Sequence, residues 1–140
     1  MVKVLIGHKG SGKTIKMIET ANDLAETAKG SVIFINKNAR LTYDLSHQIR
    51  IVCMDDYEAI TCSDEYIGFI YGIISSDHDI EAIFIDSILK HADFSVADVP
   101  QFLERLDNIS KKFGMDFVVS LSAEKEEMAG VDFSKYEILN

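Results

Sequence analysis

The sequence predicts an α/β fold, a three-layer sandwich built on a mostly parallel, five-stranded sheet. Short apolar runs alternate along the chain with longer segments of helical period, the order that parallel βαβ units require. One run, Ala82–Asp86, is apolar up to its final residue, as expected of a strand covered on both faces. The chain of 140 residues is 47% hydrophobic and 26% charged, enough to bury one core, and has a single proline and no low-complexity linker. It therefore reads as one domain spanning residues 1–140.

The elements follow in order. A first strand covers Lys3–Ile6, and a helix starts near Gly12 or Lys13. Ile15, Ile18, Ala21, Leu24, Ala25 and Ala28 are placed on its inner face, and Lys29-Gly30 ends it. Ser31–Asn36 is the second strand. Residues 37–48 are irregular, with room for a short helix. Ile49–Met54 is the third strand, closed by Asp55-Asp56. A helix from Ser63-Asp64 to about Ser76 buries Ile67, Ile70, Tyr71 and Ile74, and Ala82–Asp86 is the fourth strand. Asp98 is the expected N-cap of the next helix, with Pro100 in its first turn and Gln101 at the capping-box position. That helix buries Val99, Phe102, Leu103, Leu106, Ile109 and Phe113 and stops at Gly114. Phe117–Leu121 is the fifth strand. The acidic tail from Ser122 ends in Phe133, Tyr136, Ile138 and Leu139, which can dock as a last strand or helix.

Charge narrows the partners. A net charge of −9 with three arginines, Arg40, Arg50 and Arg105, argues against nucleic acid and against anionic membrane lipids. No apolar run approaches the length of a membrane-spanning helix. Met1–Gly7 shows no signal-peptide pattern, and Cys53 and Cys62 have no metal-ligand spacing, so a reducing, cytoplasmic setting is expected.

Gly7-His8-Lys9-Gly10-Ser11-Gly12-Lys13-Thr14 matches G-x-x-x-x-G-K-[ST] at every fixed position. Each residue type has a physical reason. The glycines let the chain wrap tightly, so that successive N–H groups converge on a β-phosphate. The helix that follows adds its positive N-terminal end. Lys13 reaches the β- and γ-phosphates, and the Thr14 hydroxyl ligates Mg²⁺. His8 and Lys9 hold variable positions and read as solvated loop side chains. In Ala82-Ile83-Phe84-Ile85-Asp86-Ser87, an acid stands at the C-terminal end of a strand, where an open parallel sheet gathers its ligand chemistry. Asp86 is thus the candidate to hold Mg²⁺ opposite Thr14. The expected ligands are a nucleoside triphosphate and Mg²⁺.

From about Val2 to Ser122 the chain resembles the RecA-like branch of P-loop NTPases. The resemblance rests on the phosphate loop, the strand Phe34-Ile35-Asn36 running into Lys37-Asn38-Ala39-Arg40-Leu41, and a strand ending in Asp86-Ser87. It implies ATP as the nucleotide. It also implies a polar sensor of the γ-phosphate at Ser120 or Ser122, on a strand lying between the phosphate-loop strand and the Asp86 strand. Lys13, Asp86 and Ser120 are then the expected catalytic residues. The pattern is also similar to short bacterial P-loop proteins labelled as twitching-motility (pilus-retraction) ATPases, although the histidine motifs of the longer pilus motors are absent.

One departure bears on the reaction. Where branches of the family carry a water-polarising glutamate, this chain has Asn38 and Ser87. Asn orients a water but cannot take its proton, so intrinsic hydrolysis is expected to be weak, with Asp55 or Asp56 as substitutes. The first functional expectation is a weak ATPase or nucleotide-dependent switch, completed by a partner or by a second copy in a homo-oligomer. The alternatives are a small-molecule or nucleoside kinase and a non-hydrolysing scaffold module.

Overall fold

The computed structural model describes residues 1–140. Six strands form one sheet in the order β3-β2-β4-β5-β1-β6, every neighbouring pair parallel. They are β1 (Val2–Ile6), β2 (Ser31–Asn36), β3 (Ile49–Cys53), β4 (Ile80–Ile85), β5 (Asp116–Leu121) and β6 (Glu137–Ile138). The three long helices are α1 (Lys13–Thr27), α2 (Ser63–Ser75) and α3 (Val99–Phe113).

The sheet has six strands rather than the expected five. The tail supplies the sixth, pairing Lys3 with Glu137 and Val4 with Ile138. Asn140 lengthens this edge without backbone: its side-chain amide donates to the Ile6 carbonyl at 2.6 Å and accepts from the Ile6 N–H at 3.0 Å. A primary amide carries one donor and one acceptor in the same plane, as a peptide unit does.

Through α1 the chain moves one way along the sheet, and through α2 and α3 it moves back. Right-handed parallel crossovers then put α1 on one face and the other two on the opposite face. The two buried clusters agree. Met17, Ala21 and Ala25 of α1 pack with Leu5, Phe34, Phe84 and Val118, while α2 and α3 pack with Val4, Ile33, Ile35, Ile83, Ile85 and Val119. Alternate residues of each strand thus serve opposite layers.

Three details depart from the sequence reading. In α1 the inward stripe is Lys13, Met17, Ala21 and Ala25, and Ile15 stands out in solvent at 65% exposure. The glycine-rich loop before α1 fixes the rotation of the helix by turning Lys13 inward, and the i+4 series from Lys13 follows. Phe113, the last residue of α3, and Tyr71, inside α2, are exposed rather than buried. At the start of α3, Asp98 does not cap through its side chain, and Gln101 forms no capping box. The box is instead Ser95 with Asp98, three residues earlier, around the single turn Val96–Asp98 that feeds α3. Gly114 ends α3 in the left-handed region, as expected.

Candidate nucleotide site

β5 lies between β1 and β4, so the ends of all three strands meet at one edge of the sheet. Ile6 stands opposite Leu121, and Ile85 opposite Val119. Gly7 leaves β1 there, Asp86 leaves β4, and Ser120 and Ser122 come from the end of β5.

The loop between β1 and α1 depends on glycine at three places: φ is 150° at Gly7, 86° at Gly10 and 87° at Gly12. This lets the chain double back and start α1 at Lys13. Lys13 is 6% exposed, and its ammonium donates to the His8 carbonyl at 2.9 Å and the Ser11 hydroxyl at 3.3 Å. Burial lowers its pKa. Lys90 pushes the same way, while Asp86 and Glu124 oppose them.

Asp86 is 3% exposed, yet its carboxylate is well partnered. The Thr14 hydroxyl lies 3.1 Å from Oδ2 and 3.4 Å from Oδ1, and the Ser120 hydroxyl donates to Oδ1 at 2.8 Å. The Ser120 oxygen also accepts from the Ser87 N–H at 2.6 Å, and the Asp86 N–H donates to the Ile35 carbonyl at 3.0 Å. Ser87 itself takes a left-handed conformation, φ 56°, which turns the chain sharply off the sheet.

Lys9, Gly10, Gly12, Lys13, Thr14, Ile15, Ser87, Lys90 and Ser122 line a cavity of about 260 Å³ at this edge. The sequence-derived residues Gly7 to Thr14 and Asp86 are therefore brought together. Ser120 is placed differently. It is fully buried behind Asp86, with its hydroxyl engaged on both sides, while Ser122 lines the cavity. Ser120 positions the carboxylate and does not line the cavity. His8 is exposed, and its N–H and Nδ1 each lie 3.2 Å from Glu124 Oε1. The Gly7 N–H also donates to the Ala123 carbonyl, so the chain after β5 is fastened to the glycine-rich loop.

No carboxylate lines this cavity. Asn38 uses its side chain to cap the turn Ala39–Asp44, accepting from the Arg40 N–H at 2.9 Å. Asp55 is paired with Lys37 at 3.0 Å and lines a second cavity of about 330 Å³, which also touches Tyr57, Glu58, Thr61, His91 and Asp93. Lys90 borders both cavities.

Lys90 is the residue that reading the sequence missed. Its signal was modest: a lysine four residues beyond Asp86, where the chain leaves the C-terminal edge of the sheet. Its neighbour His91 is 1% exposed, with Nδ1 3.0 Å from the Tyr66 hydroxyl. The His91 Nε2 has no partner in hydrogen-bonding geometry. Burial pulls the imidazole pKa down to about 4, outweighing the nearby Asp86 carbonyl, which favours the proton.

No protein-family model matches the chain, and no curated protein matches it either. No helix is long and apolar enough to cross a membrane.

Proposed function

We propose that the chain binds a Mg²⁺–nucleoside triphosphate, ATP by its resemblance to RecA-like NTPases, with its phosphates in the loop Gly7–Thr14. The observation that carries this reading is the convergence of Thr14 on both oxygens of Asp86 beside the buried Lys13. A phosphate loop needs a lysine for the phosphates and a hydroxyl beside a carboxylate for the metal. The strand order, with β5 between β1 and β4, supports the RecA-like reading.

The donor set suits Mg²⁺. A hydroxyl and a carboxylate are hard oxygen ligands, and Mg²⁺ fills the rest of its shell with water and substrate phosphates. No group of three or more His, Cys, Asp or Glu residues forms a metal cage. Bound there, Mg²⁺ would neutralise charge on the terminal phosphates. Thr14 and Asp86 would hold it, Ser120 would hold Asp86, and Lys13 would hold the phosphates.

Turnover is slow in this reading, because no carboxylate lines the cavity to take a proton from water. The chain then works as a nucleotide-dependent switch or as an ATPase completed by a partner or a second copy. Transfer of the phosphoryl group to a small acceptor is a second reading, favoured by the second cavity across Lys90. Phosphate release from Mg-ATP, followed over a range of protein concentrations beside a Lys13→Ala control, tests the first reading. A slow release that Lys13→Ala abolishes is expected. Release equal in the two proteins contradicts it.

A further inference from the structure

We propose that Lys90 is the terminal-phosphate subsite of this nucleotide site, the cation by which the chain distinguishes a triphosphate from a diphosphate. The inference rests on the nucleotide reading above and adds to it a residue outside the phosphate-loop motif.

Three observations carry it. First, Lys13 and Lys90 border one cavity from different elements, the start of α1 and the turn Ile88–Lys90 after β4. Two ammonium groups facing one polar cavity make a site for an anion of more than one charge.

Second, Lys90 has no ion-pair partner, although the chain carries 23 acidic residues against 14 basic ones. The Asp86 carboxylate is already engaged by Thr14 and Ser120. Of the lysines bordering the loop cavity, Lys9 is likewise without an ion-pair partner, and Lys13 is bonded within its own loop.

Third, the backbone that carries Lys90 is held while its head is exposed. The Lys90 N–H donates to the Ser87 carbonyl at 2.9 Å, and the Ser87 N–H donates to Ser120 at 2.6 Å. On either side, Ile88 is fully buried and His91 is 1% exposed. The ammonium is therefore delivered to the cavity from a fixed base that also holds Asp86.

Lys13 already belongs to the loop, bonded to its His8 carbonyl and Ser11 hydroxyl, and approaches the β- and γ-phosphates from the loop side. Lys90 borders both the loop cavity and the second cavity, so in this proposal a phosphate chain held by the loop points its far end toward Lys90. An ammonium there bonds a γ-phosphate and leaves a β-phosphate untouched.

Calorimetric titration of the wild type, Lys90→Ala and Lys90→Arg with Mg-ATP and with Mg-ADP tests the subsite. Lys90→Ala is expected to weaken ATP by about 10–100-fold and ADP by less than about twofold, the loss expected of one charge-assisted hydrogen bond. Lys90→Arg is expected to keep most of the discrimination. Lys90 is exposed, so the variant should melt with the wild type. Equal weakening of ATP and ADP, or no weakening, overturns the subsite and leaves the nucleotide reading standing. A wild type that binds neither nucleotide better than Lys13→Ala overturns both.

Discussion

Gly30 and two glycines of α2 should respond in opposite directions to the same substitution. A Cβ built on Gly30 would meet the Asp79 carbonyl oxygen at 1.9 Å and its carbon at 3.1 Å. Both atoms are backbone, so no side chain can swing away. That oxygen accepts from the Ser31 N–H at 2.8 Å, the bond at which β2 joins the start of β4. The Gly30 N–H itself donates to Glu81 at 2.8 Å. Gly30→Ala must push Asp79 away by about 1 Å or more. Overpacking of this kind costs about 1–3 kcal/mol, and one weakened hydrogen bond adds about 0.5–1.5. A loss of about 3 kcal/mol lowers the melting temperature of a 140-residue domain by about 10 °C. At Gly68 and Gly72, by contrast, nothing lies within 4 Å of the added carbon, and both sit inside the helix Ser63–Ser75. Alanine there should stabilise by about 0.5–1 kcal/mol each. Thermal and urea unfolding of the three single variants reads both signs. A Gly30→Ala variant as stable as Gly68→Ala would refute the reasoning.

Three further outcomes follow from the site. Asp86→Asn should weaken ATP binding in Mg²⁺ by about 10–100-fold and change it little in EDTA, because the amide keeps the shape but loses the metal's negative ligand; titration in both buffers decides it. Ser120→Ala should cost about 1–3 kcal/mol in urea unfolding, since it orphans the Ser87 N–H and removes a donor from the buried Asp86 carboxylate. His91 makes stability depend on pH. Its folded pKa of about 4 lies below the usual 6.5, so the unfolded chain binds the proton more tightly. Its contribution is present above pH 6.5, falls between pH 6.5 and 4, and amounts to about 2 kcal/mol between pH 7 and 5. His91→Gln should flatten that part of the profile in urea titrations at the two pH values.

Much of this was legible in the sequence because two signals were strong. The apolar runs fixed β2 to the residue, Ser31–Asn36, and β5 to within one. The phosphate-loop pattern located three positive-φ glycines and the buried lysine. What stayed hidden was set by tertiary context. Ile15 looked like core by period, but the inward turn of Lys13 rotated α1 and left it at the rim of the cavity. Asp98 looked like a helix cap, but a preceding turn let Ser95 take the role. Ser120 and Ser122 were equivalent candidates by position, but Ser120 lies inside β5, buried behind Asp86, while Ser122 lies one residue past the end of the strand, beside the cavity. The two residues of β6 are too short to carry a period, and their pairing rests on the edge that β1 offers.

The most direct test of the nucleotide site is equilibrium binding of Mg-ATP to the wild-type chain and to Lys13→Ala, with melting curves to show that both are folded. Saturable, one-to-one binding that Lys13→Ala weakens at least 100-fold is the predicted result, and a folded wild type that binds Mg-ATP no better than Lys13→Ala would contradict it.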